Sequence, residues 1–530
     1  MSNNSDESSG LGLSALVVSL GTLLSRIFGL IRDICIAYVF GASRITDVFF
    51  IAYQIPSLFR KLLAEGALSS AVVPVYVDIR DNESPRAAQE LASAVFTWTI
   101  LLVGGLVIVG TLAAPLLVGA IAPGLIGTGY FSLTVTLTRQ MFPFLLMMSG
   151  AAVTMGILHA RKTYAPSAFA PVCLNIALVL SLLFLAPVLG SDPRTKVGAL
   201  VVGVLVGGFF QFFVQWLGLA RTGLRLEWNP DWSLDGLYRI LDMMGPMVLG
   251  LAVTQLIVLI DKLVASFLYA GNISYLYYSN RLFQFPFAMI GIALGTVVLP
   301  ESSEQVSDEN LEEVAATTRE SLGMMSFLMV PSAVGLALIG HPLIGLLFRR
   351  RNFTAGDQAI TFGVLLFALL GLLAYGFIRI FVSLCYSFED TMGPLKAALV
   401  ALGTNALLDP VFVLLWPGDP LYRVCGLTLA GSIAVWIQSR ILRNRLSMHL
   451  PDFTLIPWDQ FRRHLGVTTI MALVLIPVVR SPLSEFMRVF LGTTVGAGLY
   501  MTLAYLLGDP HPTQVVGELK KRFMSDDSTD

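Results

Sequence analysis

Windows of about 20 predominantly apolar residues recur along the whole chain, and each is long enough to cross a bilayer as an α-helix. They lie at 14–40, 47–77, 90–118, 132–159, 164–188, 197–221, 240–270, 275–300, 317–340, 358–386, 393–416, 423–446, 464–480 and 486–507. Only 13% of the residues are charged, whereas a soluble domain has about 25%. The pattern predicts an all-α, polytopic membrane protein with about 14 transmembrane helices.

Both ends of the chain are polar. Residues 1–13 form a polar tail without the basic segment of a cleaved signal, and the first ten of them are predicted to be disordered. Residues 511–530 form a second polar tail. If both termini are cytoplasmic, the cytoplasmic connections hold more Lys and Arg than the external ones, apart from the basic run 349–351. The positive-inside rule therefore predicts cytoplasmic N- and C-termini.

A short internal repeat predicts how the spans are arranged. Residues 67–74 read ALSSAVVP and residues 293–300 read ALGTVVLP. Each closes a predicted span, and an even number of spans separates them, so orientation is preserved. We predict two six-helix lobes, 14–225 and 226–447, related by a pseudo-twofold axis along the membrane normal, with two further helices in 448–510. Chance similarity of eight common residues is the alternative.

Charged side chains lie inside several predicted spans, where each costs roughly 2.5–3.5 kcal/mol near mid-membrane. The clearest cations are Arg26, Arg32, Arg60 and Arg281, and the acidic residues of the early spans are Asp33, Asp47 and Glu65. The spans contain too few carboxylates to pair with all of these cations. The excess of positive charge predicts an anionic cargo. Because guanidinium groups bind phosphate oxygens in a fork, a diphosphate suits them best. Asp33 shares a helix face with Arg26 and is expected to hold it.

A second polar set is Asp261, Asn405 and Asp409. Asn405 and Asp409 are four residues apart and share one helix face. The oxygens of this set can bind a cation such as sodium or relay protons. A hydrogen-bonded clamp between helices is the alternative.

Several kinds of site have no signature in the sequence. There is no GxxxxGK[ST] loop, the four cysteines form no CxxC pair, and the five histidines lie near span ends without metal-ligand spacing. We therefore expect no enzyme activity, no resident cofactor and no nucleic-acid partner.

Two sequence runs resemble the MurJ (MviN) family of lipid II flippases, within the multidrug/oligosaccharidyl-lipid/polysaccharide (MOP) exporter superfamily. They are SLGTLLSRIFGLIRDICIAYVFGASRITDVFFIAYQIPSLFRKLLAEGALSSAVVPVY at 19–76 and NRLFQFPFAMIGIALGTVVLP at 280–300. The resemblance extends across essentially all the predicted spans. It implies two six-helix lobes around a cationic cavity, with the helices of 448–510 forming a groove for the lipid tail.

The resemblance also implies roles for particular residues. By position, Arg26, Arg32, Arg60 and Arg281 match arginines that engage the diphosphate and sugar head group, and Asp33, Asp47 and Glu65 match acidic positions of gating and salt bridging. Asp261, Asn405 and Asp409 match a sodium site of some members. This chain departs from those members at Gly431, where they place a threonine ligand, with Ser432 next to it.

The expected function is therefore the movement of lipid II from the cytoplasmic to the periplasmic leaflet of the bacterial inner membrane by alternating access. The expected partners are lipid II, membrane lipids and proteins of cell-wall synthesis, with coupling to sodium, protons or the membrane potential, and a monomer suffices. Two alternatives stay open: a flippase for another lipid-linked oligosaccharide, and a cation-coupled drug antiporter.

Overall fold

The structure, a computed structural model, describes residues 3–62, 68–450 and 455–524, and these are almost entirely helical with no β-strand among them. Internal packing divides the chain into two compact units. Unit 1 is Met1–Ser274 with Arg350–Phe353, and unit 2 is Tyr275–Arg349 with Thr354–Asp530. The fold class predicted from the apolar windows is thus confirmed.

Unit 1 is built on ten long or medium helices and one short one among its described residues. They are α1 (Asn3–Phe40), α2 (Arg44–Phe59), α3 (Ser69–Asn82), α4 (Pro85–Leu112), α5 (Ala114–Ile121), α6 (Gly129–Met141), α7 (Pro143–Ala160), α8 (Ala165–Leu180), α9 (Ala186–Val188), α10 (Pro193–Arg221) and α11 (Asp235–Ser266). Helix α8 packs against α1 and α10, and α7 packs against α3, α4 and α10. The buried apolar side chains of α3, α4 and α7 form the core that fixes these helices.

The turn after α1 also holds a short segment from far along the chain. Gly41 has φ +63°, and a Cβ there would overlap the backbone oxygen of Asn352. The Asn352 side-chain amide donates a hydrogen bond to the Val39 carbonyl at 2.6 Å. Glycine is required at this turn because both its left-handed backbone and the close approach exclude a side chain. The contact explains why 350–353 belongs to unit 1.

Unit 2 continues the chain with α12, which begins in unit 1. Its helices are α12 (Asn272–Pro286), α13 (Ile292–Ser307), α14 (Leu311–Phe348), α15 (Ala355–Leu369), α16 (Leu372–Ser387), α17 (Met392–Leu414), α18 (Val424–Leu446), α19 (Trp458–Arg480), α20 (Glu485–Leu506) and α21 (His511–Met524). Helix α14 packs against α15, α19 and α20, and α18 packs against α15, α16 and α17. Phe327, Met471 and Tyr500 are buried where α14, α19 and α20 meet.

The helices follow the predicted spans, but several spans are interrupted. Within the described parts of the chain, nine helical stretches are long and apolar enough to cross a membrane, or ten if α15 and α16, bent by 41°, count as one. The window 47–77 covers most of α2 and the first part of α3. Proline marks two interruptions: Pro143 begins α7, and Pro286 ends α12 before a π-helical turn at Phe287–Gly291. Proline lacks the N–H that would continue the helical ladder.

Helices extend into both polar tails. The prediction of disorder for the first ten residues is wrong, because α1 begins at Asn3. A long apolar helix is already nucleated, so each polar residue added at its end gains a hydrogen bond without a new nucleus. In the C-terminal segment 511–530, α21 forms over His511–Met524. The lobe boundaries, and the lipid-tail groove at 448–510, remain predictions, because the packing units do not test pseudo-symmetry.

Candidate functional site

The charged centre of α1 is an ion pair between neighbouring residues. Nε and Nη2 of Arg32 donate to Oδ1 of Asp33 at 2.9 Å and 2.8 Å, and Nη1 donates to Oδ1 of Asn175 on α8 at 3.0 Å. The Asn175 amide in turn donates to the Ser25 carbonyl of α1 at 3.1 Å. Arg32 is 9% exposed and Asp33 is fully buried. This network fixes the guanidinium of Arg32 between two helices.

The predicted pairing of Asp33 with Arg26 is wrong, because Asp33 binds Arg32 instead. Arginine has a long flexible stem, so its guanidinium can fold onto the next residue although their Cβ atoms point in different directions. Arg26 is exposed on α1 and has no ion-pair partner among the residues that the structure describes. It is therefore the arginine of this helix whose charge remains available.

Arg60 lies at the end of α2, beyond Pro56. Its backbone N–H donates to the carbonyls of Pro56 and Ser57, and its side chain is half-buried. Residues 60–62 continue as a π-helical turn. The next acidic residue, Glu65, lies outside the described residues, so its predicted gating role stays a prediction.

Asp47 caps a helix that begins far along the chain. Its Oδ2 accepts the backbone N–H of Gly271 at 2.7 Å, and its Oδ1 accepts the N–H and the hydroxyl of Ser274 at 2.9 Å and 2.7 Å. Asp47 is 1% exposed. A carboxylate at a helix N-terminus satisfies the free N–H groups and interacts with the helix dipole. The observed partners are backbone and hydroxyl donors, not the basic side chain that a salt-bridging role predicted.

Arg281, the predicted arginine of unit 2, folds along its own helix. Its Nη2 donates to the Tyr277 hydroxyl at 2.9 Å, and its guanidinium carbon lies 5.2 Å from the centre of the Tyr277 ring. Tyrosine one turn earlier thus supplies both a hydrogen bond and a cation–π contact. Together these contacts hold the guanidinium of Arg281 beside the Tyr277 ring.

Two of the three predicted cation ligands meet in unit 2. Asn405 and Asp409 on α17 are both fully buried, and the Asn405 amide donates to Oδ2 of Asp409 at 2.9 Å. The Cβ that Gly431 lacks would lie 3.5 Å from Asn405 Oδ1. A threonine there would place its side chain next to this pair, whereas the Ser432 hydroxyl donates to the Phe367 carbonyl. Asp261, the third predicted ligand, belongs to unit 1.

Sequence reasoning missed the amide partners of the charged groups. Asn175 orients Arg32, and Gln54 accepts a hydrogen bond from the Lys262 ammonium at 2.8 Å. Both amides stand inside predicted apolar windows, where a polar side chain needs a partner. An amide inside an apolar window therefore predicts a polar partner, but the sequence does not identify which charged residue that partner is.

Comparisons with known proteins place this arrangement in a family. The profile described as "Lipid II flippase MurJ" matches residues 36–495. A "Lipid II flippase MurJ" of Burkholderia cenocepacia is 36% identical over 432 residues, covering 81% of this chain and 82% of the relative. A "Probable lipid II flippase MurJ" of Vibrio cholerae is 32% identical over 444 residues, covering 82% of each chain.

Solved structures give the same result for the fold. A structure described as "Lipid II flippase MurJ, inward closed conformation" has a TM-score of 0.78 and 25% identity, covering 93% of this chain and 98% of that chain. An inward-facing multidrug resistance transporter of the MATE family, within the MOP superfamily, has a TM-score of 0.64 and 15% identity, covering 83% of this chain and 100% of that chain. The second likeness concerns the fold alone. The chain therefore belongs to the lipid II flippase MurJ family.

Proposed function

We propose that this protein moves lipid II from the cytoplasmic to the periplasmic leaflet of the bacterial inner membrane by alternating access. The observation that carries the proposal is the family match over residues 36–495. The diphosphate of such a cargo is costly to take out of water without a counter-charge. A protein that binds the head group while the polyprenyl tail stays in lipid lowers that cost, and no covalent chemistry is needed.

The arginines supply the counter-charge in this proposal. Arg26, Arg32, Arg60 and Arg281 are the cations assigned to the diphosphate and sugar head group. The exposed side chain of Arg26 supports this assignment. The guanidinium fork suits phosphate oxygens and never loses its proton near neutral pH. The helices of 448–510 are proposed to guide the lipid tail.

Resetting the empty transporter requires an energy source. Moving one elementary charge through 100 mV is worth about 2.3 kcal/mol, so the membrane potential acting on the arginines is one source. Asp261, Asn405 and Asp409 are the proposed site for coupling to sodium or protons. The buried Asn405–Asp409 pair supports a site of this kind, while Gly431 leaves it without the threonine ligand of some relatives.

The proposed topology has both termini in the cytoplasm. The distribution of Lys and Arg in the connections supports this orientation. A single chain is expected to suffice, since the predicted lobes enclose one cargo site. Proteins of cell-wall synthesis are the expected partners that deliver and receive the lipid.

Cells in which this chain is the sole source of flippase activity test the proposal. A variant combining Arg26→Ala with Arg281→Ala should lower the lipid II exposed to a periplasmic probe roughly tenfold or more, since each lost charged hydrogen bond is worth about 1.5–3 kcal/mol. Protein abundance is measured in the same membranes. Arg86→Ala is the matched control, because Arg86 is exposed and pairs only with Glu90, four residues on, among the described residues.

Equal exposure of lipid II in the variant and in the wild type, at equal abundance, would refute the role of these arginines. Loss of another surface polysaccharide with normal lipid II would support the flippase of a different lipid-linked oligosaccharide. Drug resistance on expression, with no effect on lipid II, would support a drug antiporter.

A further inference from the structure

Three buried ligand-type side chains meet beside the last membrane helices. His464 lies on α19, Asp509 lies in the turn after α20, and His511 begins α21. They are 1%, 3% and 1% exposed. One nitrogen or oxygen atom of each lies within 4.8 Å of the others, and no other such group of three occurs among the described residues. The family profile ends at residue 495, so Asp509 and His511 lie beyond it.

The carboxylate of Asp509 stands between the two imidazoles. Oδ2 lies 2.9 Å from Nε2 of His464, and Oδ1 lies 2.6 Å from Nδ1 of His511. The backbone N–H of His511 also donates to Oδ1 at 3.1 Å. Asp509 thus contacts the two histidines through different carboxylate oxygens.

The Ser326 hydroxyl contacts the outer nitrogen of His464. It lies 2.8 Å from the Gly323 carbonyl and 2.8 Å from Nδ1 of His464. When the hydroxyl donates to Gly323, its oxygen accepts the proton of Nδ1, and in the neutral imidazole the Nε2 lone pair then faces the Asp509 carboxylate. In this tautomer, a proton or a metal ion between Nε2 and the carboxylate holds the two electron-rich atoms together.

The side-chain oxygen of Gln460 faces the same cluster of side chains. Gln460 lies one turn before His464, and its Oε1 is buried with no hydrogen-bond partner among the described residues. A Cβ on Gly323 would overlap this Oε1 and would lie 3.1 Å from Nε2 of His511. The bare backbone of Gly323 thus makes room for the donors. Two imidazoles, a carboxylate and an amide oxygen form a nitrogen and oxygen donor set.

We propose that His464, Asp509 and His511 bind one divalent transition-metal ion of the zinc type, with Gln460 as a further oxygen donor. Zinc accepts imidazole and carboxylate ligands at about 2.0–2.2 Å, so the ion would replace the proton between His464 and Asp509. Most metal-binding histidines are oriented by a hydrogen bond at the ring nitrogen that does not bind the metal. Ser326, beside Nδ1 of His464, is positioned to make that hydrogen bond. The ion would join α19 to the turn after α20 and to the start of α21.

Metal analysis of the full chain tests the site. The protein is purified in detergent with a tag that contains no histidine, stripped with EDTA, and incubated with ZnCl₂ before gel filtration. We expect about one zinc ion per chain by mass spectrometry and a higher thermal midpoint that EDTA reverses. Asp509→Asn and His511→Ala should abolish binding, and Ser326→Ala should weaken it about 10–100-fold.

His449→Ala is the matched control, because His449 stacks on Phe388 away from the cluster and its loss should leave zinc binding unchanged. Asp509→Asn keeps the shape of the side chain, so it remains informative if a histidine variant fails to fold. No zinc on the wild-type protein, or equal binding by wild type and His511→Ala, would overturn the proposal. A thermal midpoint that follows pH but ignores both zinc and EDTA would identify the cation as a proton and overturn it as well.

Discussion

Arg32→Ala should lower the free energy of unfolding by about 3–5 kcal/mol, because removing one partner of a buried ion pair leaves the other charge unneutralised. Arg32 holds Asp33 through two hydrogen bonds and reaches Asn175 on the neighbouring helix. The alanine variant leaves the Asp33 carboxylate without this guanidinium and frees the Asn175 oxygen. Equilibrium unfolding in mixed detergent micelles measures the change.

Arg26→Ala is the control for this experiment. It removes the same side chain from the same helix, but Arg26 is exposed, so the free energy of unfolding should change by no more than about 0.5 kcal/mol. A loss of similar size in both variants would show that stability follows the charge of α1 as a whole and would contradict the importance of the Arg32–Asp33 pair.

A double variant separates stability from transport. Replacing both partners by apolar residues, Arg32→Met with Asp33→Leu, should recover most of the stability, since a buried pair is often no better than a packed apolar contact. If Arg32 also binds the cargo, the double variant should fold and still expose little lipid II. Recovery of both stability and transport would make Arg32 a structural residue only.

Asp47→Ala should cost a similar amount, about 3–5 kcal/mol, because it removes the acceptor of three hydrogen bonds, each worth about 1.5–3 kcal/mol when one partner is charged, with partial compensation by water. The freed donors are the N–H groups of Gly271 and Ser274 and the Ser274 hydroxyl. Faster hydrogen exchange of the Gly271 and Ser274 amides should accompany the loss of stability, since these two amides lose their acceptor.

Ser274→Ala gives the graded comparison. It removes only the hydroxyl bond to Asp47, so the expected cost is about 1–2 kcal/mol. Asp242→Ala, an exposed acid on α11, should change the free energy of unfolding by no more than about 0.5 kcal/mol. If Asp47→Ala behaved like Asp242→Ala, the carboxylate would not be stabilising the start of α12.

The apolar windows predicted most of the helices because a bilayer imposes one length and one secondary structure on a spanning segment. The same windows could not locate the interruptions, since proline and glycine are common in membrane helices without breaking them. Pro286 ends a helix, whereas Pro74 lies inside α3. Whether a proline ends a helix or lies within it depends on which neighbouring groups hydrogen-bond to the carbonyl that the proline leaves without a donor.

Helical spacing predicted which charged and amide residues share a helix face, but not the partners that they meet. It gave the face shared by Asn405 and Asp409, and the structure joins these two side chains by a hydrogen bond. The same reasoning paired Asp33 with Arg26 and failed, because a flexible arginine stem lets residues next in sequence meet. Partners distant in sequence, such as Asn175 for Arg32 and Asp509 for His464, depend on how helices pack, and no local spacing encodes that.

The π-helical turns have a consequence for how relatives are aligned. One follows α8 at Ser181–Leu185 and another follows Pro286 at Phe287–Gly291. A π turn holds one residue more than the α turn that would replace it. A relative can therefore lose one residue at either turn while the helix before it and the helix after it keep their lengths. In evolutionary terms these turns are places where the chain length can change by a single residue inside the membrane.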